Sequence, residues 1–386
     1  MKLRFLANPL LAAVLLCLIA CSNTNLNNAP TGTGLLYLAA QSTQSIQAYS
    51  MSLASGSLGM IGNMVPTGTM PTAMAVTPAV TALFVSNTGA NSITGYTIDS
   101  DGSLTEVATR IVGKLPKGVA VDASGQFLFV ANQASSSISV FSINGANLTP
   151  VKGSPFTTIA PGTVTPTGPV AVAVPPAGNY LYVANQFTNN VSAFSFNSDG
   201  ALSIVPGSPY ATGLNPSGLA ISPAGTFLLV ANSGSGNVSS FAICAIASAT
   251  CLTPNGMLTP AANSPFSAGI SPVAIAFDPG FNFVYVVDQQ SNEVFQYSFG
   301  VNNGSMTALS PAAIATGTTP VSIAIRAGAT GADIGSSLVD LTDYVYVANI
   351  GGSSMSGFTL TTSSGLLTVL GAAVTTNGNP SAVVAK

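Results

Sequence analysis

The sequence predicts an all-β fold, a seven-bladed β-propeller of four-stranded antiparallel blades. Three observations carry this. A short strand motif ending in Asn or Asp recurs along the chain, a Pro-led apolar run precedes most copies, and the two ends of the chain complement each other.

The motif copies are Phe84-Val85-Ser86-Asn87, Phe129-Val130-Ala131-Asn132, Tyr182-Val183-Ala184-Asn185, Leu229-Val230-Ala231-Asn232, Tyr285-Val286-Val287-Asp288 and Tyr346-Val347-Ala348-Asn349, with a degenerate first copy, Tyr37-Leu38-Ala39-Ala40. After each copy comes a second run that alternates apolar and polar residues, such as 137–143 or 190–196. A turn such as Asp101-Gly102 or Ser198-Asp199-Gly200 follows, then a short third run such as 201–205. These turns are hairpin chemistry, because Gly accepts the positive φ of a tight reversal.

The fourth run opens with Pro: 71–76, 116–121, 169–174, 216–221, 272–277 and 320–325. Pro is tolerated as a strand's first residue because no ladder donor is lost inside it. The small, apolar character of these runs suits strands crowded around an axis. The first copy, at 35–37, has no such run before it, and the chain finishes with Pro380-Ser381-Ala382-Val383-Val384-Ala385. That final segment is expected to be the innermost strand of the blade whose other three come from residues 35–61, which closes the ring and removes the exposed edges.

The tetrapeptide resembles the YVTN-type repeats of microbial surface proteins. The longer unit, Pro-x-x-Val-Ala-Val…Gly-x-(Phe/Tyr)-Leu-(Phe/Tyr)-Val-Ala-Asn…Val-Ser-x-Phe, resembles the seven-bladed lactonase (6-phosphogluconolactonase-like) family across 35–386. That resemblance implies hydrolysis of a sugar lactone at the channel mouth by polar residues that include His and Arg. The chain has no His, and Arg110 and Arg326 sit in no matching pattern, so no catalytic residue carries over.

Composition narrows the function further. Only 5% of residues are charged, against roughly 25% in an average domain. Without His there is no imidazole triad and no His-ligated zinc or haem. Eight Lys and Arg against 11 Asp and Glu leave no basic stripe, so nucleic acid is excluded as a partner. No cofactor or metal site is implied.

The start of the chain carries an address. Lys2 and Arg4 precede an apolar run over 10–20 that is too short to span a bilayer, as in a secretory leader. Leu18-Ile19-Ala20-Cys21 resembles the lipobox of bacterial lipoproteins. It implies a signal peptide over 1–20 and lipidation of Cys21; the Ser/Asn/Thr/Pro/Gly-rich stretch that follows reads as a flexible tether over 21–34, before a propeller over 35–386. The expected location is the bacterial cell envelope, in the periplasm or at the cell surface, on the outer membrane in a Gram-negative cell. Cys244 and Cys251 then meet oxidising conditions across a short loop, and a disulfide between them is expected.

Alternating strands sort the loops onto two faces. The upper face receives the residues after each motif Asn and the segments leading into each Pro; the Cys244–Cys251 excursion and the 327–342 insertion fall on the lower face. Upper-face candidates for binding are Asn132, Asn185 and Asn232 with Asn87 and Asn349, joined by Gln133, Gln186 and Gln289. They read either as amides offered to a glycan or peptide, or as Asn bonding its own turn. Asp288 and Glu293 form the one motif loop with two acids, a candidate acid–base pair, a holder of a hard cation, or a solvated loop. Lys114 and Lys117, bracketing Pro116, are candidates for an anionic group such as a phosphate or uronate or for catalysis. Asp99-Ser100-Asp101-Gly102 lacks the remaining ligands of a calcium loop and reads as a hairpin turn. The functional expectation is a non-catalytic binding module for a glycan, peptide or envelope protein, with sugar-lactone hydrolysis as the alternative.

Overall fold

The structure is a computed structural model that describes residues 33–160, 162–245, 251, 253–328 and 342–386. The leader, Cys21, nearly all of the tether and most of the 327–342 insertion lie outside these residues.

Seven antiparallel sheets stand around a central channel. Their innermost strands are Pro380–Ala385, Pro71–Val76, Pro116–Val121, Pro169–Ala173, Pro216–Ile221, Pro272–Phe277 and Pro320–Arg326, for blades 1 to 7 in that order. Each pairs with a motif strand, as Pro116 does with Asn132 and Val119 with Val130. Blade 1 is closed as the sequence requires: Leu38 pairs with Val383, and Leu35 and Lys386 exchange backbone hydrogen bonds of 2.7 and 2.8 Å. Its first strand starts at Thr33 rather than Leu35 and runs from the lower face to the upper.

Every motif strand is covered on both faces, since each sheet has a neighbour on either side. Odd and even positions therefore feed different cores. Phe129 and Ala131 pack with Leu181 and Val183 of blade 4, while Leu128 and Val130 pack with Ala82 and Phe84 of blade 2. Seven such clusters fill the seven seams among the described residues. The closing seam joins Leu36, Leu38 and Val383 to Tyr344 and Tyr346.

Two kinds of polar tie fix the seams. Motif tyrosines donate across to a hairpin carbonyl of the next blade: Tyr37 to Gly102 at 3.0 Å, Tyr182 to Gly256 at 2.9 Å, Tyr285 to Gly365 at 2.7 Å, and Tyr346 to Gly56 over the closure. Blade 5 has Leu229 at this position, and Ser240 Oγ makes the equivalent bond to Gly304 at 2.9 Å. Nearer the axis, hydroxyls reach the next innermost strand, as Ser86 Oγ does to the Lys117 carbonyl at 2.7 Å. There the backbones almost touch: a Cβ on Gly118 would stand 2.7 Å from the Ala171 Cα, so this crossing requires Gly.

The outer strands break at a Ser-Pro step in blades 3, 4 and 5. There the outer strand steps away from its neighbour, and the hydroxyl before Pro accepts from the amide left without a strand partner: Ser154 from Val140, Ser208 from Ala193 and Ser264 from Ser240, at 2.8–2.9 Å. Cys244 and Cys251 are disulfide-bonded on the lower face, their Cα atoms 5.3 Å apart.

Burial pushes the hydroxyls of Tyr37, Tyr182, Tyr285 and Tyr346 well above the ordinary phenol range, with smaller contributions from neighbouring acids or tyrosines. A phenol whose folded value is raised contributes fully below its unfolded value of about 10 and loses that contribution as pH climbs towards the folded one. With no His to titrate, stability measured by urea unfolding is expected to stay nearly level from neutral pH to about 9 and to fall steeply above about 10. Tyr285→Phe is expected to cost about 1–3 kcal/mol, because the Gly365 carbonyl stays buried without its donor. A variant as stable as the parent would show that the seam tie is dispensable.

Candidate functional site

The channel narrows between two mouths. The upper holds a cavity of about 490 Å3 lined by all seven innermost strands, and the lower one of about 690 Å3. Pairing of Pro with the motif Asn or Asp in blades 2 to 7, and of Pro380 with Ala40 in blade 1, places the second residue of each innermost strand at the upper mouth, where it lines the cavity. Around the ring this position holds Ser381, Thr72, Lys117, Val170, Ser217, Val273 and Val321. Lys117 is the one titratable side chain among the described residues that line the upper cavity. Desolvation lowers its pKa, and its ammonium meets no carboxylate among the described residues.

The hydroxyls of this ring are already engaged. Ser217 Oγ donates to the Pro272 carbonyl at 2.9 Å, Ser381 Oγ to Pro71 at 2.7 Å, and Thr72 Oγ1 shares a 2.6 Å bond with Thr88. Two amides above them are not fully used. Gln133 and Gln186, first residues after the motif Asn in blades 3 and 4, meet across the seam with Gln133 Nε2 donating to Gln186 Oε1 at 2.8 Å. Whichever way the pair is oriented, one amide NH2 and one carbonyl oxygen remain for a ligand. Both glutamines line the same cavity as Lys117.

Of the two readings of Asn132, Asn185 and Asn232, as amides offered to a ligand or as residues bonded within their own turns, the structure shows the second arrangement. Their side chains are buried and turn into their own hairpins. Asn132 Nδ2 donates to Ser137 and Ser139, Asn185 to Asn190 and Ser192, and Asn232 to Asn237 and Ser239. The amide thus needs oxygen acceptors five and seven residues on. Asn87 and Asn349 use the same arrangement.

Asp288 departs from this pattern for a structural reason. At those spacings stand Glu293 and Phe295, so the acceptor seven residues on is missing. A carboxylate there accepts from four backbone N–H groups instead: Oδ2 from Ile270 and Ser271 (2.7 Å), Oδ1 from Gln290 (3.0 Å) and Ser291 (2.8 Å). Glu293 sits opposite Asp288 in the ladder, half-buried, and neither lines the upper cavity. Asp288 is therefore a loop anchor, and the acid–base pair is not assembled. Lys114 is exposed on the segment leading into Pro116 and stays outside the cavity lining, so it does not join Lys117.

One rim residue escaped the sequence reading. Phe187, next to Gln186, is 57% exposed. At the same hairpin position other blades carry Gly89, Ala134, Gly234, Gln290 and Gly351. The signal was this break in the repeat. Beneath the ring lies Gly168, where φ is +63° and a Cβ would stand 2.6 Å from the ring carbons. Elsewhere the bulk sits on the lead-in, as at Met70 opposite Gly89.

Asp288→Asn is expected to destabilise by about 1–3 kcal/mol, because an NH2 would replace an acceptor facing backbone donors. Equal stability of Asp288→Asn and the parent would contradict the anchor role.

The seven-bladed β-propeller lactonase family model matches residues 36–153 and 151–254. No curated protein sequence matches the chain. Among solved structures, a candidate 6-phosphogluconolactonase from Bacteroides uniformis is 15% identical, with 92% of this chain and 100% of that chain covered at a TM-score of 0.74. One from Bacteroides fragilis is 18% identical, covering 92% and 98% at 0.73. The periplasmic gluconolactonase of Pseudomonas aeruginosa is 20% identical, covering 91% and 98% at 0.73. These structures share the fold, and with the matched sequence, the closed ring and the repeated motif they place this chain in the seven-bladed β-propeller lactonase family.

Proposed function

We propose that the chain is a binding propeller whose upper mouth takes a small polyhydroxylated anion, held at the cell envelope by a lipid anchor on Cys21. The observation that supports it is the company of Lys117: one desolvated cation beside an amide pair with a donor and an acceptor in reserve. Ester hydrolysis asks for more, namely a base poised over water and donors for the oxyanion. Asp288, Glu293 and Lys114 do not line this cavity. The anchor rests on the Lys2–Cys21 pattern, and the periplasmic setting of the Pseudomonas relative supports an envelope address.

Lactone hydrolysis is the second reading. Family membership favours it. Two measurements separate the readings. Gluconate titrated calorimetrically is expected to bind, and Lys117→Met to weaken it about tenfold or more, the loss of a charge-assisted hydrogen bond. Affinity should decline as pH rises, beginning below the range where an ordinary lysine titrates. Acid release from glucono-δ-lactone is expected to match the spontaneous rate; turnover that Lys117→Met abolishes would establish hydrolysis instead. Cys21→Ser is expected to shift the protein from the membrane to the soluble fraction, and an unchanged distribution would remove the anchor.

A further inference from the structure

The repeat supplies its own baseline, since each rim position is sampled in several blades. Five consecutive blades, 2 to 6, raise one large apolar side chain on the upper rim: Met70, Leu115, Phe187, Leu214 and Ile270, each 42–57% exposed. Four of them stand on the lead-in segments, two or three residues before Thr72, Lys117, Ser217 and Val273 of the cavity lining. In blade 4 the bulk comes from the hairpin instead, where Phe187 lies against Gly168. Blades 7 and 1 lead in with Thr318-Thr319 and Gly378-Asn379 and raise no such side chain among the described residues.

The lead-in members of this arc are mounted on fixed backbone. Thr88 donates its N–H to the Met70 carbonyl at 2.9 Å, Gln133 to Leu115 at 3.0 Å and Gly234 to Leu214 at 3.0 Å, while the Ile270 N–H is held by Asp288. Met70 and Leu115 also carry positive φ, 53° and 50°, at the step where blades 4 and 5 place Gly168 and Asn215. Gly and Asn enter that region more readily than a bulky side chain does, so stability alone would select them. An apolar arc kept exposed against that preference marks an interaction surface. The charges around it indicate the partner. The upper-face segments of blades 2 to 5 carry Lys114 and Lys117 and no Asp or Glu. Lys114 is exposed, and Lys117 shares the cavity with Gln133 and Gln186. Apolar side chains interleaved with cations and free of acids match the boundary of an anionic lipid layer, where the first enter between headgroups and the second meet phosphates.

Resting on the binding reading above, we propose that the upper face docks on an anionic phospholipid surface and takes a phosphoglycerol headgroup into its mouth. Such a headgroup is itself a small polyhydroxylated anion. Its phosphate faces Lys117, its hydroxyls bond the free positions of Gln133 and Gln186, and Lys114 meets a neighbouring phosphate. Met70, Leu115, Leu214 and Ile270 enter the boundary between headgroups and acyl chains. Free gluconate uses the cation and the amides but has no acyl part, so the two ligands separate the apolar arc from the mouth.

The test is co-sedimentation with vesicles, beside calorimetric titration of gluconate, using the mature chain with Cys21→Ser so that no acyl anchor contributes. Vesicles of about three parts phosphatidylglycerol to seven of phosphatidylcholine are expected to bind at least about tenfold more tightly than phosphatidylcholine alone. Met70→Asn with Leu115→Asn suits the positive φ and removes two apolar contacts. It is expected to unfold at the same temperature or higher, to bind the mixed vesicles about tenfold more weakly and to hold gluconate within about twofold. Lys117→Gln should weaken both ligands. Equal affinity for the two vesicles, docking unchanged in the Asn variant, or a dimer of the parent that this variant dissociates would overturn the lipid surface, and gluconate binding would then leave the mouth standing. Absence of gluconate binding by the parent would overturn the mouth, and the headgroup site with it.

Discussion

Each motif strand in this chain is apolar on both faces, so no blade is complete until a neighbour lies against each side. That condition can be met for every blade only by a circle. The closing seam alone buries ten residues around Leu36, Tyr344 and Val383. Opening it would uncover both walls, at about 1.5–3 kcal/mol for each large side chain. A domain's entire stability is about 5–15 kcal/mol, so the final strand, Pro380–Ala385, is a condition of folding rather than an ornament of it. The tyrosine bonds between blades add direction: each aligns a motif strand with one particular hairpin of the next sheet.

The same economy of polar groups decides where chemistry is possible. In a chain with so few charges, hydroxyls and amides supply most of the polar bonding inside and between blades. The motif asparagines close their own hairpins, Asp288 gathers four backbone donors, and Ser217 and Ser381 tie adjacent innermost strands. What remains uncommitted at the upper mouth is small: Lys117 and one donor and one acceptor of a glutamine pair. A site in a repeat protein is thus found by subtraction of what every blade needs.

The architecture was open to reading because repetition, the leading Pro and the complementary ends are all local features of the chain. Lys117, Gln133 and Gln186 were legible as rim residues by the same alternation. The asparagines were not, because the residue type at a hairpin end says nothing about which way the amide turns. The deciding feature is the oxygen acceptor seven positions on, Ser139 beneath Asn132 and nothing equivalent beneath Asp288, where Phe295 stands. Lys114 and Lys117 differ in the same way. The first precedes the strand and faces solvent, whereas the second occupies the strand position whose side chain enters the channel. Phe187 was hidden by its ordinariness as a residue and exposed only by comparison with the Gly, Ala and Gln that stand at its position in other blades.

The direction of the first strand bears on how the molecule meets its surroundings. Thr33 opens that strand at the lower rim, beside Lys386, so the join that completes the ring is made on the side opposite Lys117. The upper mouth is therefore bounded by hairpins and lead-in segments alone, and a change there leaves the closing hydrogen bonds of Leu35 and Lys386 untouched.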